Sequence, residues 1–78
     1  MKIFKEVKLE YCNGRSDKVY IIKMLEDDGL YKVRFEYGRW NNVNNIYSKP
    51  DHFTSYAEAI EIFEDTLRQK LRKGYVQR

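Results

Sequence analysis

The stretch YKVRFEYGRW, residues 31–40, alternates strictly until it breaks at Gly38. Tyr31, Val33, Phe35 and Tyr37 fall on one side of an extended chain, and Lys32, Arg34 and Glu36 on the other. A period of two with large apolar groups on one side only marks a strand with one buried face. After Gly38 come Arg39, Trp40 and the paired Asn41 and Asn42. The stretch is thus the clearest strand in the chain and also the entrance to a turn that sets an arginine beside flat rings.

Upstream, Glu26-Asp27-Asp28-Gly29 has turn chemistry, with Gly29 suited to positive φ. Before it, VYIIKML at 19–25 is apolar on both faces, as a central strand should be. These two strands make a β-hairpin. In residues 3–11, Ile3, Val7, Leu9 and Tyr11 share one face and Lys2, Glu6, Lys8 and Glu10 the other, with Phe4 and Lys5 breaking the pattern. Asn13-Gly14-Arg15-Ser16-Asp17 reads as a turn.

Downstream, residues 41–50 are polar and asparagine-rich, with Val43, Ile46 and Tyr47 as anchors, a short strand near Ile46 and another segment near Phe53. Ser55-Tyr56-Ala57-Glu58 is a capping box that opens a helix, and Tyr56, Ala59, Ile60, Phe63, Leu67 and Leu71 repeat at helical spacing. Glu58, Glu61, Glu64 and Asp65 come early and Arg68, Lys70, Arg72 and Lys73 late, which suits the helix dipole, and Gly74 is a ready C-terminal cap. The expected class is α+β: a mostly antiparallel β-sheet with a single long C-terminal helix packed on one face, residues 1–78 forming one domain. A chain of 78 residues supports little more. It buries only about 60% of the surface its unfolded form exposes.

Composition narrows the function. Apolar residues at 42% describe a globular chain, and the seven Tyr and four Phe supply much of the available core area. A single cysteine, Cys12, excludes an intrachain disulfide, and a single histidine, His52, leaves no usual zinc set, so neither metal nor cofactor is expected. Cys12 reads as a strand-end thiol and His52 as a loop residue. There is no Gly-rich phosphate loop and no Ser/His/Asp or Cys/His set, so the chain reads as non-enzymatic. No apolar run reaches membrane-spanning length, and residues 1–6 lack a signal-peptide core; a cytoplasmic protein is the expectation. The net charge of +3 permits a polyanionic partner without demanding one.

Tyr37-Gly38-Arg39-Trp40 has two readings. In one, Tyr37 closes the edge of the core, Trp40 covers the end of the sheet and Arg39 is a surface charge. In the other, Gly38 allows close backbone approach, Arg39 offers a planar fork to phosphate oxygens, and an adjacent ring stacks on a sugar or base at a nucleic-acid end. The basic helix end is likewise explained by the dipole alone.

The order of these motifs resembles the WGR domain, named for Trp-Gly-Arg and found in several poly(ADP-ribose) polymerases and in bacterial proteins. The likeness runs over residues 7–76. It includes Asp17-Lys18-Val19-Tyr20, where the family has Lys-x-Tyr, and Tyr31-Lys32-Val33 leading to the motif strand. Phe53-Thr54-Ser55 with Ala59 and Phe63 matches the helix signature, and Lys70-Leu71-Arg72-Lys73-Gly74-Tyr75 the ending. Tyr37 stands for the name-giving Trp, Trp40 for an aliphatic residue and Asn41 for Gly. The resemblance implies an antiparallel sheet with one helix and binding to DNA near strand breaks. By position it gives Tyr37 the stacking role and Arg39 the basic one. Charge and the resemblance together add Lys18, Lys49, Lys70, Arg72 and Lys73 as candidates for backbone contacts. The expected partner is therefore DNA, at ends or nicks. The alternative is a protein-interaction module, as a homodimer or with another protein, motivated by the Trp-to-Tyr change, the low net charge and the six acidic residues before Gly29.

Overall fold

The alternating stretch forms strand β3 (Leu30–Arg39), third in sequence and second in a five-stranded sheet. In the computed structural model, which describes residues 2–13, 16–39, 42–49 and 52–77, β1 is Lys2–Asn13, β2 Ser16–Asp27, β4 Asn42–Ser48 and β5 Val76–Gln77. Helix α1 spans Tyr56–Arg72. Every strand pairing is antiparallel and the order is β4-β3-β2-β1-β5, so the doubly apolar β2 is indeed central. The class is α+β.

The β2–β3 connection is a two-residue turn with Asp28 at φ 54° and Gly29 at φ 82°. Two successive positive φ values match the right-handed twist of the flanking strands. Glu26 caps the turn by accepting the Gly29 N–H at 3.0 Å.

Cross-strand register sorts the side chains into rows, because directly opposed residues share a face. Val7, Ile22, Phe35 and Tyr47 form one row, the first three buried beneath the helix and Tyr47 exposed at its edge. The next is Leu9, Tyr20 and Tyr37, and the outermost is Tyr11, Lys18 and Arg39. Ala59 and Phe63 of α1 are fully buried on this face against Val7, Leu9, Ile22, Met24, Val33 and Phe35. The other face carries an ion-pair ladder in which Lys23 meets Glu36 at 2.9 Å and Glu6 at 3.6 Å, and Arg34 meets Glu36 at 3.1 Å.

Two local expectations are revised. Ile3 does not continue the inward face: a β-bulge between Ile3 and Lys5 leaves Ile3 opposite Leu25 and 53% exposed. The extra residue, Phe4, turns to the helix side and meets Tyr31 and Tyr56 edge-on at 5.3 and 5.9 Å. The capping box is also half altered. Ser55 accepts the Glu58 N–H at 3.3 Å, but the Glu58 carboxylate takes the Thr54 hydroxyl at 2.5 Å.

Helix length decides where the sheet stays open. Thr54 bridges to Tyr31 through two 2.6 Å backbone hydrogen bonds, which moors the helix start beside the β2–β3 turn. Seventeen helical residues span about 26 Å, while the twelve of β1 span about 40 Å. The helix therefore ends short of the Tyr11–Lys18–Arg39 row.

At that end the chain reverses. The Gly74 N–H donates to the Leu71 carbonyl and the Tyr75 N–H to the Lys70 carbonyl, at 3.2 and 3.1 Å, with Gly74 at φ 107°. This paired pattern is a Schellman closure. It returns the tail as β5 beside Leu9 and Glu10 of β1. A Cβ on Gly74 would sit 3.1 Å from the Tyr11 ring. Gly74→Ala should therefore lower unfolding stability by about 1–2 kcal/mol, read as a shifted urea midpoint. An unchanged midpoint would contradict the closure described.

Candidate nucleic-acid interface

The uncovered end of the sheet, the last turn of α1 and the returning tail enclose an open groove of ≈ 730 Å³. Its floor is aromatic. Tyr20 lies face to face with Tyr37, centroids 5.7 Å apart and planes within 20°. Tyr47 stands edge-on to Tyr37 at 79°, and its hydroxyl shares a 2.7 Å hydrogen bond with that of Tyr20. Tyr37 remains 37% exposed, so one part of its ring packs on Tyr20 while the rest fronts the groove. Its packing on Tyr20 is that of a residue closing the edge of the core, and its exposed part leaves ring surface open to the groove.

Three cations converge over this floor: Lys18 from β2, Arg39 from β3 and Lys70 from α1. Lys18 and Arg39 are opposed residues of the β2–β3 ladder, placed there by the same register that buries Ile22 against Phe35. Lys70 reaches in from the helix end, its Nζ 4.3 Å from the Tyr20 centroid and 5.6 Å from that of Tyr75. The negative faces of these rings hold the ammonium in place. No carboxylate is among the described residues lining the groove.

Electrostatics are shaped by this crowding. Burial lowers the Lys70 pKa below the ordinary lysine value, and the neighbouring charges of Lys73 and Lys18 lower it further. Such a site holds positive charge at a cost that an incoming anion would relieve. Burial, then the hydrogen bond to Tyr47, pushes the Tyr20 phenol far above its usual range. Burial also raises Tyr75, with a smaller contribution from Tyr11.

Of the residues singled out in the sequence, the fold brings together Tyr37, Gly38, Arg39, Lys18 and Lys70 in this groove, and Lys73 in an adjoining one. Lys49 stands apart. Its N–H donates to the Val33 carbonyl, and Val33 is four residues, or about 13 Å, down β3 from Tyr37. Arg72 is exposed on the last helical turn but does not line the groove. Trp40 and Asn41 lie outside the described residues. Sequence reasoning did not place Tyr11, Tyr20, Asn45, Tyr47 and Tyr75 at the site. Strand alternation gave Tyr11 its face, yet the grouping depends on register and on the Gly74 closure.

Among the described residues no cluster of three or more His, Cys, Asp or Glu could hold a metal ion, and no helix is long and apolar enough to cross a membrane.

A five-stranded antiparallel sheet with one helix across it, open at one end onto a basic and aromatic groove, defines a small α+β module. The model of the WGR domain family matches residues 5–78, and the chain belongs to that family. WGR domains are non-catalytic modules of the nucleic-acid-binding type. No curated protein and no solved structure matches the chain.

The Tyr20 phenol has a testable consequence. An unfolded tyrosine ionises near ~10, whereas Tyr20 in the fold ionises higher. Above that pH the unfolded chain releases a proton that the folded one retains, so stability is full below pH ~10 and falls as pH rises. Urea melts at pH 8 and pH 11 should show this loss, and Tyr20→Phe should reduce it. An identical pH slope in both proteins would contradict the burial assigned to Tyr20.

Proposed function

We propose that this chain is a non-catalytic module that binds DNA at ends or nicks through the groove beside Tyr37, Gly38 and Arg39. The observation that carries the reading is the convergence of Lys18, Arg39 and Lys70 over an exposed tyrosine ring, with no carboxylate among the described lining residues. Phosphate oxygens match the guanidinium fork of Arg39 and the point charges of the lysines. The Tyr37 ring offers a stacking surface to a terminal sugar or base. Trp40, next in the motif, is a further candidate for that stacking. Lys73 extends the basic surface, while Lys49 and Arg72 are candidates for outlying backbone contacts only.

An intact duplex is a poor match for this shape, since reading its major groove calls for a protruding helix or ribbon. Ends and nicks expose the groups that a groove can take in. In titrations of labelled duplexes with blunt, nicked or sealed ends, the blunt and nicked forms with and without a 5′-phosphate, the first two should bind more tightly than the sealed form. Affinity should fall by ~0.9 log units per log of salt for each duplex phosphate contacted. Arg39→Glu should weaken binding by about tenfold or more. Equal affinity for all the duplexes, or none for any, defeats end recognition.

A second reading, a homodimeric interaction module, draws on Ile46 and Val76, which are 59% and 53% exposed on the face away from the helix. Sedimentation at micromolar concentration separates the two. A dimer that Ile46→Lys dissociates, together with DNA binding that Arg39→Glu leaves untouched, favours the second.

A further inference from the structure

We infer that the groove receives an unpaired tail of about two nucleotides, so that a DNA end with a short single-stranded overhang is its preferred ligand. The inference rests on the end-binding reading above and adds the form of the end. The groove is one of two adjoining concavities. The second, of ≈ 480 Å³, is lined by Tyr11, Lys18, Lys70, Lys73 and Tyr75. Lys18, Lys70 and Tyr75 belong to both.

The cations therefore form a track, with Arg39 in the first concavity, Lys18 and Lys70 at the junction and Lys73 in the second. Rings accompany it throughout. Tyr37 and Tyr47 lie in the first concavity, and Tyr11 and Tyr75, 5.4 Å apart with planes at 40°, in the second. Alternating cations and rings is the pattern that follows a single strand, with phosphates on the cations and bases against the rings.

Shape separates a tail from a paired end. A terminal base pair is flat and wide, and it can lie only on an open platform. Here the exposed part of Tyr37 shares its groove with the edge-on Tyr47 and with Lys70 and Tyr75 of the helix end, which narrows the room for a flat pair. An unpaired nucleotide can enter that space, and its neighbour can continue past Lys18 and Lys70 into the second concavity. One nucleotide for each concavity gives a tail of two.

The test compares blunt duplexes with duplexes carrying single-stranded tails of one, two, four and six nucleotides, at matched salt, by fluorescence anisotropy. A two-nucleotide tail should bind about tenfold more tightly than a blunt end, with little gain from longer tails. Tyr11→Leu and Lys73→Gln should each reduce the tailed-to-blunt affinity ratio. Tyr11 packs on Gly74, so the exposed Lys73 supplies the variant least able to disturb folding. Equal binding of tailed and blunt ends overturns this inference while leaving end recognition standing. So does affinity that climbs steadily to six nucleotides, or a ratio unchanged in Lys73→Gln. Binding to no duplex at all overturns both.

Discussion

Lys70 holds the two halves of the site together through two different atoms. Its carbonyl accepts the Tyr75 N–H at 3.1 Å, which fixes the chain reversal after the helix. Its ammonium lies 4.3 Å from the Tyr20 centroid, which fixes the helix end over the sheet. The reversal requires positive φ after the helix, and Gly74 supplies it at 107°. A longer helix would cover the Lys18–Arg39 row. A shorter one would leave Tyr20 uncovered and its hydroxyl pair with Tyr47 exposed to water. The groove is what remains when a helix about 26 Å long lies on strands of up to about 40 Å.

The two sheet faces divide the charge. Away from the helix, Glu6, Lys23, Arg34 and Glu36 compensate one another within the ladder. Lys23 and Glu36 are largely covered, with side chains 19% and 12% exposed, and their mutual compensation leaves that face with little net field. The helix side differs along its length. At mid-helix Lys5 pairs with Glu64 at 3.0 Å. At the open end, Lys18, Arg39, Lys70 and Lys73 meet without a carboxylate among the described lining residues. A net charge of +3 conceals this separation, because the acidic residues lie elsewhere on the fold. Local field, rather than total charge, is what a polyanion would meet.

Much of the fold was legible in the sequence because local rules agreed with one another. The alternation through Tyr37, the Asp28-Gly29 turn, the Ser55 cap and the apolar spacing of Ala59 and Phe63 each point to the element that forms. The bulge at Phe4 was visible only as a broken pattern, since the direction of a bulge is set by the partner strand. The two residues of β5 are too few to carry a period. They pair because Gly74 turns them back onto β1. The site was legible in its cations and in Tyr37, but not in its floor. Tyr11, Tyr20, Tyr47 and Tyr75 are scattered over 65 positions of sequence. Register and the helix end link them in a chain, Tyr11 to Tyr75 and Tyr75 to Tyr20 through their rings and Tyr20 to Tyr47 through their hydroxyls.

The proposed binding surface is the open, helix-side end of the sheet. Backbone amide shift mapping of isotope-labelled protein, on addition of a short end-bearing duplex, tests it most directly. The largest changes should fall on Lys18, Tyr20, Gly38, Arg39, Lys70 and Tyr75, with the Glu6, Lys23 and Arg34 amides little moved. Changes centred on the ion-pair ladder, or spread evenly over both faces, would contradict it.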